Sequence, residues 1–188
     1  SNAHGNYTTA IGYATQAQKN YSAAFGYYAN ASGLRATALG SNANAIGTVA
    51  IAIGINSTAT GNSSVAIGNG ASAMEHQSLA FGKQSKGSQS SVAIGYTANA
   101  ISKFSVSIGP TSKVNGKGSV AVGSSAQATS NSALALGNRA MATDKSAIAI
   151  GNRANATAIN TTALGFTAEA TANEASAIGI NATASGIN

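Results

Sequence analysis

One motif, small–x–Ala–large–Gly, sets what this chain can fold into. It recurs at Gly12, Gly26, Gly40, Gly54, Gly68, Gly82, Gly95, Gly109, Gly123, Gly137, Gly151, Gly165 and Gly179. Of the twelve intervals between these thirteen anchors, eleven are 14 residues and one, Gly82 to Gly95, is 13. The residue before each glycine is large and apolar, from Ile11, Phe25 and Leu39 through Ile178, and the residue before that is Ala except at Ser107. Small residues stand three and five positions after the glycine, as in Ala29/Ala31, Ala43/Ala45, Ala71/Ala73 and Ala168/Ala170. A fixed period of this kind marks a repeat architecture.

A 14-residue period is either two heptads or one coil of a β-solenoid. Heptads need good helix formers and charged flanking positions. Each unit here has a fixed glycine, many β-branched residues and almost no charge. An interior glycine costs a helix roughly 1 kcal/mol, so one per unit excludes the helix. The pattern predicts two strands of about five residues each per coil, joined by two turns, one of them at the anchor glycine, where a positive φ is tolerated. The expected fold is all-β: a parallel β-roll, or β-solenoid, of about thirteen coils. Residues 8–188 form one repeat domain, and residues 1–7, opening on a Ser1-Asn2-Ala3 that reads as a tag scar, form an N-terminal flank.

The two strands differ. Segments such as Ser64-Val65-Ala66-Ile67 and Ser91-Val92-Ala93-Ile94 are almost continuously apolar, which implies burial on both faces. Segments such as Asn42-Ala43-Asn44-Ala45 and Arg153-Ala154-Asn155-Ala156 alternate polar residues with Ala, which implies one wet face. A two-strand coil has a single interior and can bury only one face of each strand. The other face of the Val-Ala-Ile strand therefore needs further copies of the chain, closed by rotational symmetry. The sequence predicts an obligate oligomer.

Units such as Ser-Val-Ala-Ile-Gly (64–68 and 91–95) and Ala-Ile-Ala-Ile-Gly (147–151), each followed by x-x-Ala-x-Ala, closely resemble the YadA-like head repeats of trimeric autotransporter adhesins. The resemblance spans roughly residues 8–186. It implies a left-handed roll, a homotrimer with three chains side by side, and a place on the cell surface of a Gram-negative-type bacterium, anchored in the outer membrane. It also implies attachment to host extracellular matrix proteins, host cell-surface receptors or other bacteria. Neck motif, heptad stalk and translocator strands are not seen, so the chain reads as the head alone, reaching a membrane only through a C-terminal anchor outside it. Thirteen coils at about 4.8 Å make a rod of roughly 60 Å, which would also serve as a spacer projecting another binding domain.

Chemistry is scarce. Charged residues make up 7% of the chain, with 10 Lys+Arg and 4 Asp+Glu, against about a quarter in ordinary domains. Four carboxylates, two histidines and no cysteine exclude a thiol nucleophile and a Cys-ligated zinc, and make an enzyme improbable. No cofactor is expected. The net charge of +6 is scattered without a Lys/Arg run, so nucleic acid is not an expected partner. No Walker-type glycine loop appears, calcium nonapeptides would need an Asp per turn, and no outward column is consistently the Thr of an ice-binding array. Glu75 and His76 lack a third ligand for a metal, and His4 lies in the flank. Triplets of the Asn-x-Ser/Thr kind at Asn30, Asn56, Asn62, Asn155 and Asn181 follow from composition.

Binding on solenoids is commonly delegated to turns. The turn after the second strand varies most, as in Gln18-Lys19-Asn20-Tyr21, Ser32-Gly33-Leu34-Arg35, Met74-Glu75-His76-Gln77, Ile101-Ser102-Lys103-Phe104 and Thr143-Asp144-Lys145-Ser146. Tyr13 and Tyr27 follow successive glycines, with Tyr28 adjacent and Tyr21 in the turn between; they are expected to form one patch, suited to recognition or to a stacked ladder. Arg139 and Arg153 are expected to stack on outer strands of neighbouring coils with Lys145 nearby, as a site for an acidic partner or as a solubilising edge. In the short interval the turn keeps three residues, Ser88-Gln89-Ser90, where others keep four. A slip inside a strand would invert its faces, so the deletion must be absorbed in the turn, helped by Gly87.

Overall fold

The structure, a computed structural model, describes residues 1–186. The chain divides into two compact units, Ser1–Thr97 and Ala98–Asn188. Among the described residues every element is a strand.

In the first unit, two-residue strands from Asn2–Ala3 to Lys86–Gly87 form one parallel sheet, with each strand paired to the strand one coil on. Three-residue strands from Thr9–Ile11 to Val92–Ile94 form a second parallel sheet. The second unit repeats the plan, with two-residue strands from Asn99–Ala100 to Thr183–Ala184. Its three-residue strands run from Val106–Ile108 to Ser176–Ile178. The fold is a parallel β-solenoid, as the repeat requires.

The strands are shorter than the expected five residues because both corners of each coil interrupt the extended backbone. At one corner the anchor glycine takes φ between +122° and +140°, and the residue two places on is left-handed, as at Ala14, Tyr28 and Asn42. At the other corner one residue is left-handed, as at Tyr7, Tyr21, Arg35 and Val49. Val49, at φ +58°, is the costly case, because a β-branched side chain crowds this conformation. Asn160 holds the same corner position at φ +56°. Val49→Asn should therefore stabilise the chain by about 1 kcal/mol, read as a raised melting temperature.

Coil interiors are narrow. Ala66, Ala71, Ala73 and Ala52 are fully buried, and among the described residues no apolar side chain larger than Val114 is. At most interior positions that are Ser or Thr the hydroxyl reaches back three residues to a turn carbonyl: Ser64 Oγ donates to Gly61 O at 2.6 Å, and Ser112 Oγ to Gly109 O at 2.8 Å. Thr15 and Ser119 instead donate to the next coil, at Gly26 O and Ser130 O, both at 2.7 Å. Buried hydroxyls are thus satisfied and brace the corner. Ser107, the exception to the Ala rule, shares a 2.7 Å hydrogen bond with Ser112 Oγ inside its coil.

The Val-Ala-Ile strand is resolved face by face. Ala66 and Ser64 point into the coil, while Val65 and Ile67 point out and are only half-buried. Ile67 is therefore not in the interior of its own chain. On the same outward face Phe81 keeps 49% and Ile178 68% of its surface exposed. Nearly all the Ile, Leu, Val and Phe of these strands face outward, so the chain leaves its largest apolar side chains uncovered.

Pairing begins inside the presumed flank, since Asn2 and Ala3 align with Gln16 and Ala17. At the short interval Leu79, Ala80 and Phe81 pair with Val92, Ala93 and Ile94 without a slip. The turn absorbs the missing residue and keeps the hydrogen bonds of the longer turns, with Ser91 N and Oγ donating to Ser88 O at 3.2 and 2.8 Å as Ser64 N and Oγ donate to Gly61 O. Gly87 has a different role from the one expected. It lies in the strand Lys86–Gly87 and not in the turn, and a Cβ there would sit 2.8 Å from Leu79 O. The shortened coil draws the facing strand in, and only glycine fits.

Candidate adhesive surface

With one sheet apolar on its outside, polar and aromatic side chains collect at the two corners and on the two-residue sheet. At the glycine corner of the first unit the Tyr13 and Tyr27 rings stack at 5.4 Å, inclined by 14°. Tyr28 meets both edge-on, at 5.7 and 4.5 Å. Their register comes from the backbone, since Tyr28 N donates to Tyr13 O at 2.9 Å. Offset and edge-to-face pairs of this kind are favourable beyond the area they bury.

Tyr21 does not join them. It belongs to the opposite corner, where it stacks on Tyr7 at 5.2 Å and 8°, with the Arg35 guanidinium 5.8 Å over its other side. There are two aromatic clusters where the sequence suggested one patch. Tyr7 was legible in principle, being 14 residues before Tyr21, but it falls within the assumed flank. Lys83 over the Tyr96 ring at 5.9 Å was also missed.

The basic trio is not assembled either. Arg139 and Arg153 are left-handed corner residues, at φ +55° and +58°, and not outer-strand residues. They succeed each other at the glycine corner, whereas Lys145 lies at the opposite corner, with its N–H on Asp144 Oδ1 at 2.7 Å. Left-handed backbone at the second position after the glycine, where the turn must reverse, removes these residues from the sheet.

The varied turns contain a scaffold device that the sequence did not suggest. Asn20, Asn62, Asn131 and Asn173 each accept, through Oδ1, the N–H of the residue one coil before: Asn6, Thr48, Lys117 and Ile159, at 2.9–3.2 Å. Of the triplet asparagines, Asn30 donates to Asn44 Oδ1 at 2.9 Å and Asn155 to Glu169 Oε1 at 3.3 Å, while Asn181 Oδ1 accepts from Thr167. Glu75 Oε1 takes the Ser88 hydroxyl at 3.1 Å. No group of three His, Cys, Asp or Glu that could hold a metal occurs among the described residues. Among the described residues no helix is long and apolar enough to cross a membrane.

The YadA head domain repeat matches residues 3–29, 17–43, 31–48, 45–71, 88–112, 115–140, 142–168 and 170–188. The chain belongs to the YadA head repeat family. That family is one of adhesin heads and not of enzymes. The chain is similar to the collagen-binding domain of the Yersinia adhesin YadA at 30% identity, with a TM-score of 0.48. The match covers 78% of this chain and 66% of that one, so this chain spans less than two thirds of its length. No curated protein matches. The YadA-like repeat explains the invariant columns, and the corners are where this head is individual.

Proposed function

We propose that the chain is the adhesive head of a bacterial surface protein, that it assembles as a homotrimer through the outward Val-Ala-Ile face, and that it holds host extracellular matrix proteins or host cell-surface receptors with its corners. An anchor in the outer membrane would be supplied by other parts of the protein. Family membership supports the adhesive reading, and one observation supports the glycine corner as its site. Tyr13, Tyr27 and Tyr28, exposed by 48–67%, gather at one corner while the scaffold columns stay uniform. Tyrosine gives a large amphipathic contact at low entropic cost.

The test is attachment of the purified head to wells coated with matrix proteins and to epithelial cells. Replacing Tyr13, Tyr27 and Tyr28 together with Ser should weaken attachment at least about tenfold, as for an interface hot spot, while oligomeric state and melting stay unchanged. The rings also lie face to face and edge to face with one another, which favours a second reading: a stacked ladder in a structural spacer that displays some other domain. Unchanged attachment by the triple variant and by turn-substituted heads would select the spacer.

A further inference from the structure

We propose that the turn carrying Lys103 and Phe104, together with the turn one coil on at Lys117 and Gly118, binds an acidic sugar. The C–H face of a pyranose would lie on the Phe104 ring, and its carboxylate or sulfate on the two ammonium groups.

The side of the Phe104 ring toward the next coil is open. Phe104 occupies the left-handed corner position of Tyr7 and Tyr21, with φ +59°, and is 56% exposed. In the tyrosine cluster each next coil supplies a ring or a guanidinium that covers the face before it. After Phe104 the next coil supplies Gly118. A Cβ built there meets nothing within 4 Å, so the space beside the ring is open. The two turns are held together by Gly118 N donating to Lys103 O at 3.1 Å, and Gly118 keeps the same conformation, at φ +66°.

Charge completes the site. Lys103 and Lys117 are both exposed and stand on adjacent coils, about 4.8 Å apart along the backbone, where like charges disfavour each other. Neither side chain has a carboxylate partner among the described residues. Within this unit Asp144 Oδ1 takes the Lys145 N–H, and Glu169 takes Asn155. Lys117 is fixed in place, with its N–H on Asn131 Oδ1 at 2.9 Å and its carbonyl taking Ser132 N at 3.0 Å. An anion between the two ammonium groups relieves their repulsion. An apolar plate beside them selects an anion with a C–H face, which a pyranose has and a bare inorganic anion lacks.

This names a ligand class for one site and rests on the adhesive reading. The test is calorimetric titration of the whole chain with 3′-sialyllactose and with a chondroitin sulfate tetrasaccharide, against lactose and inorganic sulfate. At least one acidic sugar should bind, with both controls at least about tenfold weaker, a difference of about 1.4 kcal/mol; which sugar binds separates a terminal carboxylate from a sulfated chain. Phe104→Ala should weaken binding roughly three- to tenfold. Lys103→Gln with Lys117→Gln should remove its salt dependence. Gly118→Asn, which tolerates the left-handed backbone but fills the opening, should abolish binding with melting unchanged. No binding of either sugar, or binding unaltered by Phe104→Ala or Gly118→Asn, overturns the proposal. Attachment to matrix-coated wells, run in parallel, separates the two readings. Attachment without sugar binding removes only this site, and failure of both removes the adhesive reading as well.

Discussion

Gly40→Ala should destabilise the head by about 3 kcal/mol, whereas Gly70→Ala should cost no more than about 1 kcal/mol. Both glycines have positive φ, yet they are held for different reasons. Gly40 sits at φ +134°, and a Cβ there would lie 2.7 Å from Gly54 O and 2.8 Å from Gly54 C. The obstacle is backbone of the next coil, which cannot step aside without breaking the sheet spacing of about 4.8 Å. At Gly70 φ is +66°, and the nearest atom to a Cβ is Gln84 Cγ, at 3.5 Å. Ala14 already occupies the corresponding corner at φ +50°. Thermal melting followed by circular dichroism checks the pair. Equal losses from the two variants would mean that contact between coils does not explain the anchor glycines.

The same contrast shows what could be read beforehand. A glycine column at a 14-residue period states both the coil length and a position closed to side chains, so solenoid, register and anchors were legible. The pairing of Leu79 with Val92 across the short interval was legible too, because faces on a strand alternate and only the turn could absorb the loss. Corner geometry was not. Nothing in the composition distinguishes Arg139 on a strand from Arg139 in a left-handed turn, since Tyr, Arg, Thr, Ser and Asn all occupy that position. The place where the backbone reverses depends on packing between coils, so the tyrosines divided into two clusters and Lys145 parted from the arginines. Gly87 was misread for the same reason, being fixed by the approach of Leu79 O and not by a turn.

Ile67→Asp should abolish assembly of the head at micromolar concentration, and light scattering should find the unaltered chain as a trimer. Within a single chain Ile67 points outward and is only half-buried, so an aspartate there would stay hydrated in an isolated copy. The substitution becomes severe only if other copies cover that face, because each copy then brings an unpaired carboxylate into an apolar seam, at a penalty of several kcal/mol per ion. Asn44→Asp serves as the control: it is outward on the two-residue sheet beside Asn30 and Thr58, a face the proposal leaves to solvent, and it should not change the assembly state. The narrow alanine interior explains why the effect should extend to folding. With no fully buried apolar side chain larger than Val114 among the described residues, coils gain little from their own cores, and each outward, half-buried Ile, Leu or Val adds roughly 1 kcal/mol more when it is covered. An unaltered head that scatters as a folded monomer, or an Ile67→Asp head that remains a trimer, would show that this face is not what holds the copies together.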